Sequence, residues 1–184
     1  METGDQRDED LMAQVVEGRN DLLDRLIRRH ANPLLTFIIR MVGDRHRAEE
    51  LFQEVFLTVW LKRHQYQYPR PFRPWLYTIA LNRCRAQFRL RTPRPDQLNE
   101  EPADLHSPAD HAIADETAHL VSHAVTCLPQ QQRAVVVLRI WQGLPYHRIA
   151  EMVGCDVSTA RSHMHHGLTA LRKALRPLVE EKAT

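Results

Sequence analysis

Glycine, cysteine and strand-like patterns are scarce in this sequence. Its 184 residues include only 6 glycines and 3 cysteines. No alternation of apolar and polar residues is bounded by Asn-Gly or Asp-Gly turns, which argues against a sheet-rich fold. No window approaches the roughly 18 to 20 apolar residues of a membrane span, so we expect no membrane insertion. Runs of Leu, Ala, Arg and Glu favour an all-α fold.

The cysteines and the first residues indicate the compartment. Cys84, Cys127 and Cys155 are odd in number and far apart, with no CxxC pair. This pattern is typical of free thiols in a reducing cytoplasm and argues against a disulfide framework. The opening METGDQRDEDLMAQ is acidic and polar, unlike a secretory signal peptide. We therefore expect a cytoplasmic protein.

Charge is unevenly distributed along the chain, although the net charge is only +2. Residues 93–116 hold seven acidic residues, four prolines and a single arginine. Proline opposes helix formation, so this segment is interpreted as an extended linker. Its acidity confers solubility or, alternatively, shields a basic DNA-binding surface. We predict two small helical domains, 1–91 and 117–184, joined by an acidic Pro-rich linker at 92–116.

The segment 128–175 has the pattern of three helices with a tight turn between the last two. Apolar residues recur at helical spacing until Gly143 ends the first helix. Gly154 can adopt the left-handed turn after the second helix, and Asp156 or Ser158 can cap the third. Any three amphipathic helices share part of this pattern, but the turn and capping residues agree. They predict a helix-turn-helix, whose second helix enters the DNA major groove.

The N-terminal part has its own helical pattern. Two short amphipathic helices are expected near residues 10–16 and 21–30. The segment 33–42 is apolar nearly all round, which is typical of a helix at the centre of a bundle. The next helix begins at Asp44, and its outer face is acidic. That face comprises Glu49, Glu50, Gln53 and Glu54. An acidic face is usually solvated surface, and it becomes a docking surface when a basic partner exists.

Arginines and aromatic residues are interleaved across residues 66–91. This combination is typical of surfaces that bind single-stranded nucleic acid, because aromatic rings stack on unpaired bases and cations bind the phosphates. The alternative is that the rings are core and the arginines only confer solubility, which we favour for Trp75 and Phe88. Three loop aromatics beside prolines are harder to explain as core: Tyr66, Tyr68 and Phe72.

Together these segments resemble an extracytoplasmic-function (ECF) sigma factor of the sigma-70 family. The resemblance covers residues 21–91 and 128–175. It rests on the motifs DRHRAEELFQEVFLTVW, FRPWLYTIALNRCRAQFR and LPQQQRAVVVLRIWQGLPYHRIAEMVGC. It implies that the first domain is sigma region 2, that the second is sigma region 4, and that the linker threads through RNA polymerase.

The resemblance also implies three sets of site residues. The AEELFQEVF helix would dock on the clamp helices of the polymerase β′ subunit through Glu49, Glu50, Gln53 and Glu54. The unpaired −10 strand would contact Tyr66, Tyr68, Phe72, Arg73, Trp75, Tyr77, Asn82, Arg83, Arg85 and Arg89, with Asn82 reading a base. The −35 duplex would contact Ser158, Thr159, Arg161, Ser162, His165 and His166.

The implied partners are core RNA polymerase (β′ clamp helices and β flap), promoter DNA and an anti-sigma protein, often membrane-anchored. Trapping flipped bases would supply the free energy that opens the duplex. Paired carboxylates, a nucleophile–base pattern and a phosphate-cradling loop are lacking, so we expect no enzyme activity and no cofactor.

The recognition helix departs from the family pattern. His163, His166 and Leu168 stand where basic residues are common, and Gly167 occupies a small-residue position. Pro145 replaces the usual polar cap of the preceding helix. Since histidine titrates near neutrality, these departures predict weaker or pH-dependent DNA binding.

Two further interpretations stay open. Asp115, His119 and His123 are spaced for one helical face and could hold zinc or nickel, although a solvated helix is the favoured reading and no metal site is predicted. The chain could also be a helix-turn-helix regulator that acts without polymerase, or a polymerase-binding adaptor without initiation activity. Substitution of Asn82 and Arg161 would separate these functions.

Overall fold

The computed structural model describes residues 6–91 and 114–181, and these contain eight α-helices and no strand. The all-α prediction is confirmed. The described residues divide into two compact units, one made of residues 6–38 and 46–91 and the other of residues 39–45 and 114–181. No helix in these described ranges is long and apolar enough to cross a membrane. Among the described residues, Cys84, Cys127 and Cys155 form no disulfide bond.

Four helices and a short 3-10 turn make up the first part of the chain. They are α1 (Asp8–Val16), α2 (Asp21–Val42), α3 (Arg45–Leu61), the 3-10 turn (Arg63–Gln65) and α4 (Phe72–Arg91). Expected core residues of α3 and α4 are buried: Leu51, Val55, Val59, Leu76, Ile79, Ala80 and Cys84. The rings of Phe37 and Tyr77 meet edge-on at 5.0 Å in the centre of this unit.

One helix, α2, replaces the two helical segments expected at 21–30 and 33–42, and Pro33 lies inside it. Proline in a helix interior costs about 3 kcal/mol because a hydrogen bond is lost and the ring clashes. Leu26, Leu34 and Phe37 are fully buried on one face of α2, while Pro33 is exposed. Each buried side chain of this kind contributes roughly 1.5 to 3 kcal/mol, so the continuous apolar face outweighs the proline.

The second part of the chain contains α5 (Ala114–Thr126), α6 (Gln130–Ile140), α7 (Tyr146–Val153) and α8 (Val157–Glu181). Residues 114–116, expected in the linker, are helical, and the remaining linker residues up to 113 lie outside the described residues. The central helix is α6, whose residues 133–138 are all buried. Buried Arg133 donates to the carbonyl oxygens of Leu128, at 3.0 Å, and Thr126, and these bonds offset part of the cost of burying its guanidinium.

Candidate polymerase-binding and DNA-binding surfaces

The predicted acidic face lies on the outer side of α3. Glu49 and Gln53 are exposed, and Glu50 and Glu54 are half-exposed. Glu50 accepts from Arg47 one turn earlier and lies 3.5 Å from His46 Nδ1. The guanidinium of Arg47 partly offsets the charge of the acidic face.

Two leucines extend this face, and sequence reasoning did not select them. Leu57 is 58% exposed and Leu61 is 65% exposed. Leu57 lines a shallow depression of about 500 Å³ together with Arg47, Glu50, Gln53 and Glu54. The sequence does predict that these leucines share the acidic face, because positions 50, 53, 57 and 61 follow the three- and four-residue steps of a single helical face. We name the α3 face that comprises Glu49, Glu50, Gln53, Glu54, Leu57 and Leu61 the α3 surface.

Three aromatic residues predicted to contact DNA are buried. Tyr66 is 7% exposed, and Phe72 and Tyr77 are fully buried. The Tyr66 ring packs against Phe72 at 6.1 Å and against half-buried Trp75 at 5.3 Å. The interpretation of Tyr66 and Phe72 as unpacked loop aromatics is therefore wrong. The first turn of α4 contributes Phe72 and Trp75 to this ring cluster, so the neighbouring prolines do not keep Tyr66 and Phe72 out of the core.

Burial also changes the acidity of the two tyrosines. Burial raises the pKa of Tyr66 to about 12, and nearby Glu9, Asp10 and Asp8 reinforce this shift. Burial raises the pKa of Tyr77 as well, while neighbouring Arg73 acts in the opposite direction. These shifts move the pKa of both hydroxyls further from physiological pH, so both rings pack as neutral groups.

The remaining −10 candidates lie nearer the surface. Tyr68 is 54% exposed, and Arg73, Asn82 and Arg89 are exposed as well. Half-buried Arg85 lies on α4, one residue beyond the buried Cys84. These side chains can reach a nucleic-acid strand without any change in the core.

Arg83 has a different environment from the other candidates. It donates to the Thr58 hydroxyl oxygen from Nε at 3.1 Å and from Nη2 at 2.7 Å. Its Nη1 also lies 3.7 Å from a carboxylate oxygen of Glu54. Arg83 thus connects α4 to the α3 surface. Sequence reasoning could not detect this pairing, because the partners are more than 20 residues apart.

The predicted helix-turn-helix is present in α7 and α8. Gly154 ends α7 with φ +79° and donates its N–H to Ala150 O at 2.9 Å. Asp156 caps α8, since its Oδ1 accepts from the Thr159 N–H at 2.7 Å. Hydroxyl groups of Ser158 and Thr159 donate to the same carboxylate at 2.6 and 2.8 Å. These three donors hold the pKa of Asp156 well below its usual range.

The predicted −35 residues fall on α8, most of them on one exposed face. The exposed members are Ser158, Arg161, Ser162, His165 and His166. Thr159 differs, because it is half-buried and both its N–H and its hydroxyl serve the cap. The His165 and His166 rings lie 5.6 Å apart.

A tyrosine that the sequence analysis did not select lies beside this face. The guanidinium of Arg161 is 5.6 Å from the ring centre of Tyr146, the first residue of α7. Arg139 is 5.0 Å from the same centre. Tyr146 therefore holds two arginines near the start of α7.

The structure describes only part of the alternative metal site at Asp115, His119 and His123. The side chains of Asp115 and His119 lie outside the described residues, whereas His123 is exposed and its Nδ1 lies 3.9 Å from Cys127 Sγ. Among the side chains that the structure does describe, no group of three or more His, Cys, Asp or Glu could hold a metal ion.

Comparison with known proteins identifies the family. Family models for Sigma-70 region 2 and Sigma-70, region 4 match residues 26–93 and 118–171. RNA polymerase sigma factor CarQ of Myxococcus xanthus is 33% identical, over 94% of this chain and 99% of CarQ. ECF RNA polymerase sigma factor SigL of Mycobacterium tuberculosis is 30% identical, over 85% of this chain and 90% of SigL.

Two solved structures share the fold. CnrH in complex with the cytosolic domain of CnrY superposes with a TM-score of 0.72 at 23% identity, over 92% of this chain and 97% of that chain. RpoE in complex with the anti-sigma factor NepR, from Bartonella quintana, has a TM-score of 0.67 at 21% identity, over 83% and 96%. The family-model matches and the curated relatives show that the chain belongs to the ECF sigma factors of the sigma-70 family. It is a transcription initiation factor that binds core RNA polymerase and directs it to promoters.

Proposed function

We propose that the α3 surface is where this sigma factor binds core RNA polymerase. Exposed leucines between carboxylates suit a partner helix that carries both apolar and basic residues. The clamp helices of the β′ subunit are the partner that the family resemblance implies. Both leucines of this surface are exposed in the described unit.

We further propose that the accessible side chains of α4 and the preceding loop hold the unpaired −10 strand. Tyr68 offers a ring for stacking, Asn82 offers an amide for a base edge, and Arg73, Arg85 and Arg89 offer cations for phosphates. Tyr66, Phe72, Trp75 and Tyr77 would act as the packed support of this surface. Arg83 would act mainly by joining α4 to α3.

The recognition helix α8 would read the −35 duplex through Arg161, Ser162, His165 and His166. Ser158 and Thr159 would contribute chiefly by completing the Asp156 cap, which fixes the N-terminal turn that enters the groove. The single observation that carries the proposal is the exposure of these side chains along one face, directly after a left-handed glycine turn.

Regulation and cellular context complete the proposal. A factor that binds polymerase and promoter DNA acts in the cytoplasm and needs neither enzymatic activity nor a cofactor of its own. An anti-sigma protein is the expected third partner, because RpoE, which shares the fold, forms a complex with the anti-sigma factor NepR. Contact with the polymerase β flap is also part of this proposal.

Run-off transcription with purified core polymerase tests the proposal. Fragments of the source genome would serve as templates, and new start sites define both promoter elements. Asn82→Ala should reduce opening of the −10 element, whereas Arg161→Ala should weaken −35 binding by roughly tenfold. Asn20→Ala and Arg28→Ala, at exposed positions elsewhere, are the matched controls.

The outcomes separate the candidate functions. Core binding without any transcript would favour a polymerase-binding adaptor. Tight binding to duplex DNA without core binding would favour a plain helix-turn-helix regulator. Equal effects of the two substitutions on both promoter elements would contradict the division of roles between α4 and α8.

A further inference from the structure

Helix α1 lies outside the matched region-2 family model, which begins at residue 26. It packs against the 3-10 turn and α4, the two elements that flank the loop at residues 66–71. Its first turn is acidic, with Asp8, Glu9 and Asp10 in succession. Carboxylates this close to a loop proposed to bind DNA would repel phosphate wherever neighbouring cations or hydrogen-bond donors did not offset their charge.

Glu9 forms a hydrogen bond at the start of α4. Its Oε1 accepts from the Phe72 N–H at 2.9 Å. The preceding residue, Pro71, has no side-chain acceptor, so it cannot cap the helix in the usual way. Phe72 is fully buried, and an unpaired N–H at this position would be costly. A residue 63 positions away therefore caps α4.

Asp10 contacts the middle of the same loop. Its Oδ1 lies 3.3 Å from the hydroxyl of Tyr68, the exposed ring proposed to stack on a base. Arg7 bonds to the Asp10 carboxylate at 3.1 Å and, with support from the Tyr68 hydroxyl, lowers the pKa of Asp10. The Tyr66 hydroxyl in turn donates to Arg70 O, which closes the loop on itself.

The other carboxylate of this turn is neutralised within the unit. Asp8 accepts from Arg29 at 3.0 Å and lies 2.7 Å from Nε2 of buried His30. The His30 ring packs on Phe72 with centroids 5.4 Å apart. All three carboxylates of the α1 turn thus have partners: Asp8 on α2, Glu9 at the start of α4 and Asp10 in the loop.

We propose that Glu9 is a positioning residue for capture of the −10 strand. By capping α4 at Phe72, it sets where the loop meets the helix and hence where Tyr68 presents its ring. The proposal rests on the proposed role of this loop in −10 binding. In this proposal Glu9 acts through its hydrogen bond to Phe72 and not by contact with DNA.

The test uses holoenzyme assembled from core polymerase and the full chain. A single-stranded oligonucleotide that carries the non-template −10 sequence of a promoter transcribed by the wild type is the probe. Glu9→Ala removes the acceptor, Glu9→Asp shortens its reach, and Glu9→Gln keeps an acceptor oxygen without the charge. Asp24→Asn changes an exposed carboxylate on α2 and is the matched control.

We expect Glu9→Ala and Glu9→Asp to lower the affinity for the strand about fivefold, as for the loss of a helix cap. Glu9→Gln and Asp24→Asn should stay within about twofold of the wild type, because the cap is retained. Affinity for core polymerase and for the −35 duplex should not change. Permanganate reactivity of −10 thymines should fall in parallel with strand affinity.

Three results would overturn the proposal. Unchanged strand affinity in both Glu9→Ala and Glu9→Asp would show that the cap does not position the loop. An equal loss of core affinity and strand affinity would assign Glu9 a merely structural role. If the wild-type holoenzyme itself does not bind the strand, the role of the loop fails, and this proposal fails with it.

Discussion

Arg161 on the recognition helix lies with its guanidinium 5.6 Å from the ring centre of Tyr146, on the other helix of the helix-turn-helix. Arg139 of α6 approaches the same ring at 5.0 Å. Arginine over an aromatic ring is attracted by the ring quadrupole, and the contact restricts where a long side chain can point. Tyr146 therefore pre-orients the arginine expected to contact the −35 element.

Replacement of Tyr146 by leucine should weaken binding to a −35 duplex by about two- to fivefold, since an exposed cation–π contact contributes ~0.5–1 kcal/mol. Tyr146→Phe keeps the ring and should bind like the wild type. Titration of labelled duplex measures both variants. Tyr146→Leu should have no further effect in an Arg161→Ala background; an undiminished effect there would contradict this pairing.

Gly167 is a packing residue of α8. A Cβ at this position would lie 2.7 Å from Val136 Cγ2 on α6. Val136 is fully buried and β-branched, so its methyl group has little freedom to move. Gly167→Ala gains up to about 1 kcal/mol of helix propensity, but overpacking costs about 1–3 kcal/mol.

The net expectation for Gly167→Ala is a loss of about 1 kcal/mol in the free energy of unfolding. Chemical denaturation measures it. In the double variant with Val136→Ala, the combined loss should be smaller than the sum of the single losses, because the shortened side chain makes room. Strict additivity would show that the contact is relieved elsewhere.

The α3 surface is expected to bind polymerase through its leucines as much as its charges. The double variant Leu57→Ser/Leu61→Ser should lower the affinity for core polymerase by at least about tenfold, because each leucine contributes ~1.5–3 kcal/mol when buried. Stability should change little, since both side chains are exposed. Competition for labelled core measures the affinity. Leu120→Ser, at an exposed position of α5, is the control; an equal loss there would indicate a nonspecific effect.

The lowered pKa of Asp156 predicts that its cap stabilises the helix-turn-helix less at acidic pH. Its pKa is lowered from 3.8 by the donors of the cap, so the charged form is favoured in the folded protein. The resulting stabilisation is fully present above pH 3.8 and is lost as the pH falls towards the lower value of the folded state.

Asp156→Asn retains a capping oxygen but not the charge. We expect its thermal midpoint to lie below that of the wild type at pH 7 and the difference to shrink below pH 4. Thermal unfolding across this pH range measures it. A difference that stays constant down to the most acidic samples would show that the charge of Asp156 is not the source of the stabilisation.

Local sequence signals located most of the helices and the helix-turn-helix. Gly154 and Asp156 act within four residues of their own positions, so their roles could be predicted from the sequence. The break expected near Pro33 was wrong, because the local cost of proline was outweighed by a buried face that extends over several turns of α2.

The candidate site was less predictable than the fold. Tyr66 and Phe72 have the same local pattern as a stacking surface, but they pack with Trp75 and His30 in the core. Whether a ring is buried depends on which distant helix covers it, and neither composition nor periodicity carries that information. The exposed leucines of α3 could have been predicted from the sequence, because they share the helical spacing of the acidic side chains.

The helical content, the glycine turn and the cap of the recognition helix follow from the sequence, because each depends on interactions between residues a few positions apart. The sequence does not predict that Glu9 caps α4 at Phe72, that Arg83 bonds to Thr58, or that Tyr146 lies beside Arg161, and these contacts are seen only in the folded chain. These contacts join residues separated by 15 to 63 positions. Their partners are brought together by the burial of apolar faces, which selects a packing of helices and not a pairing of particular residues.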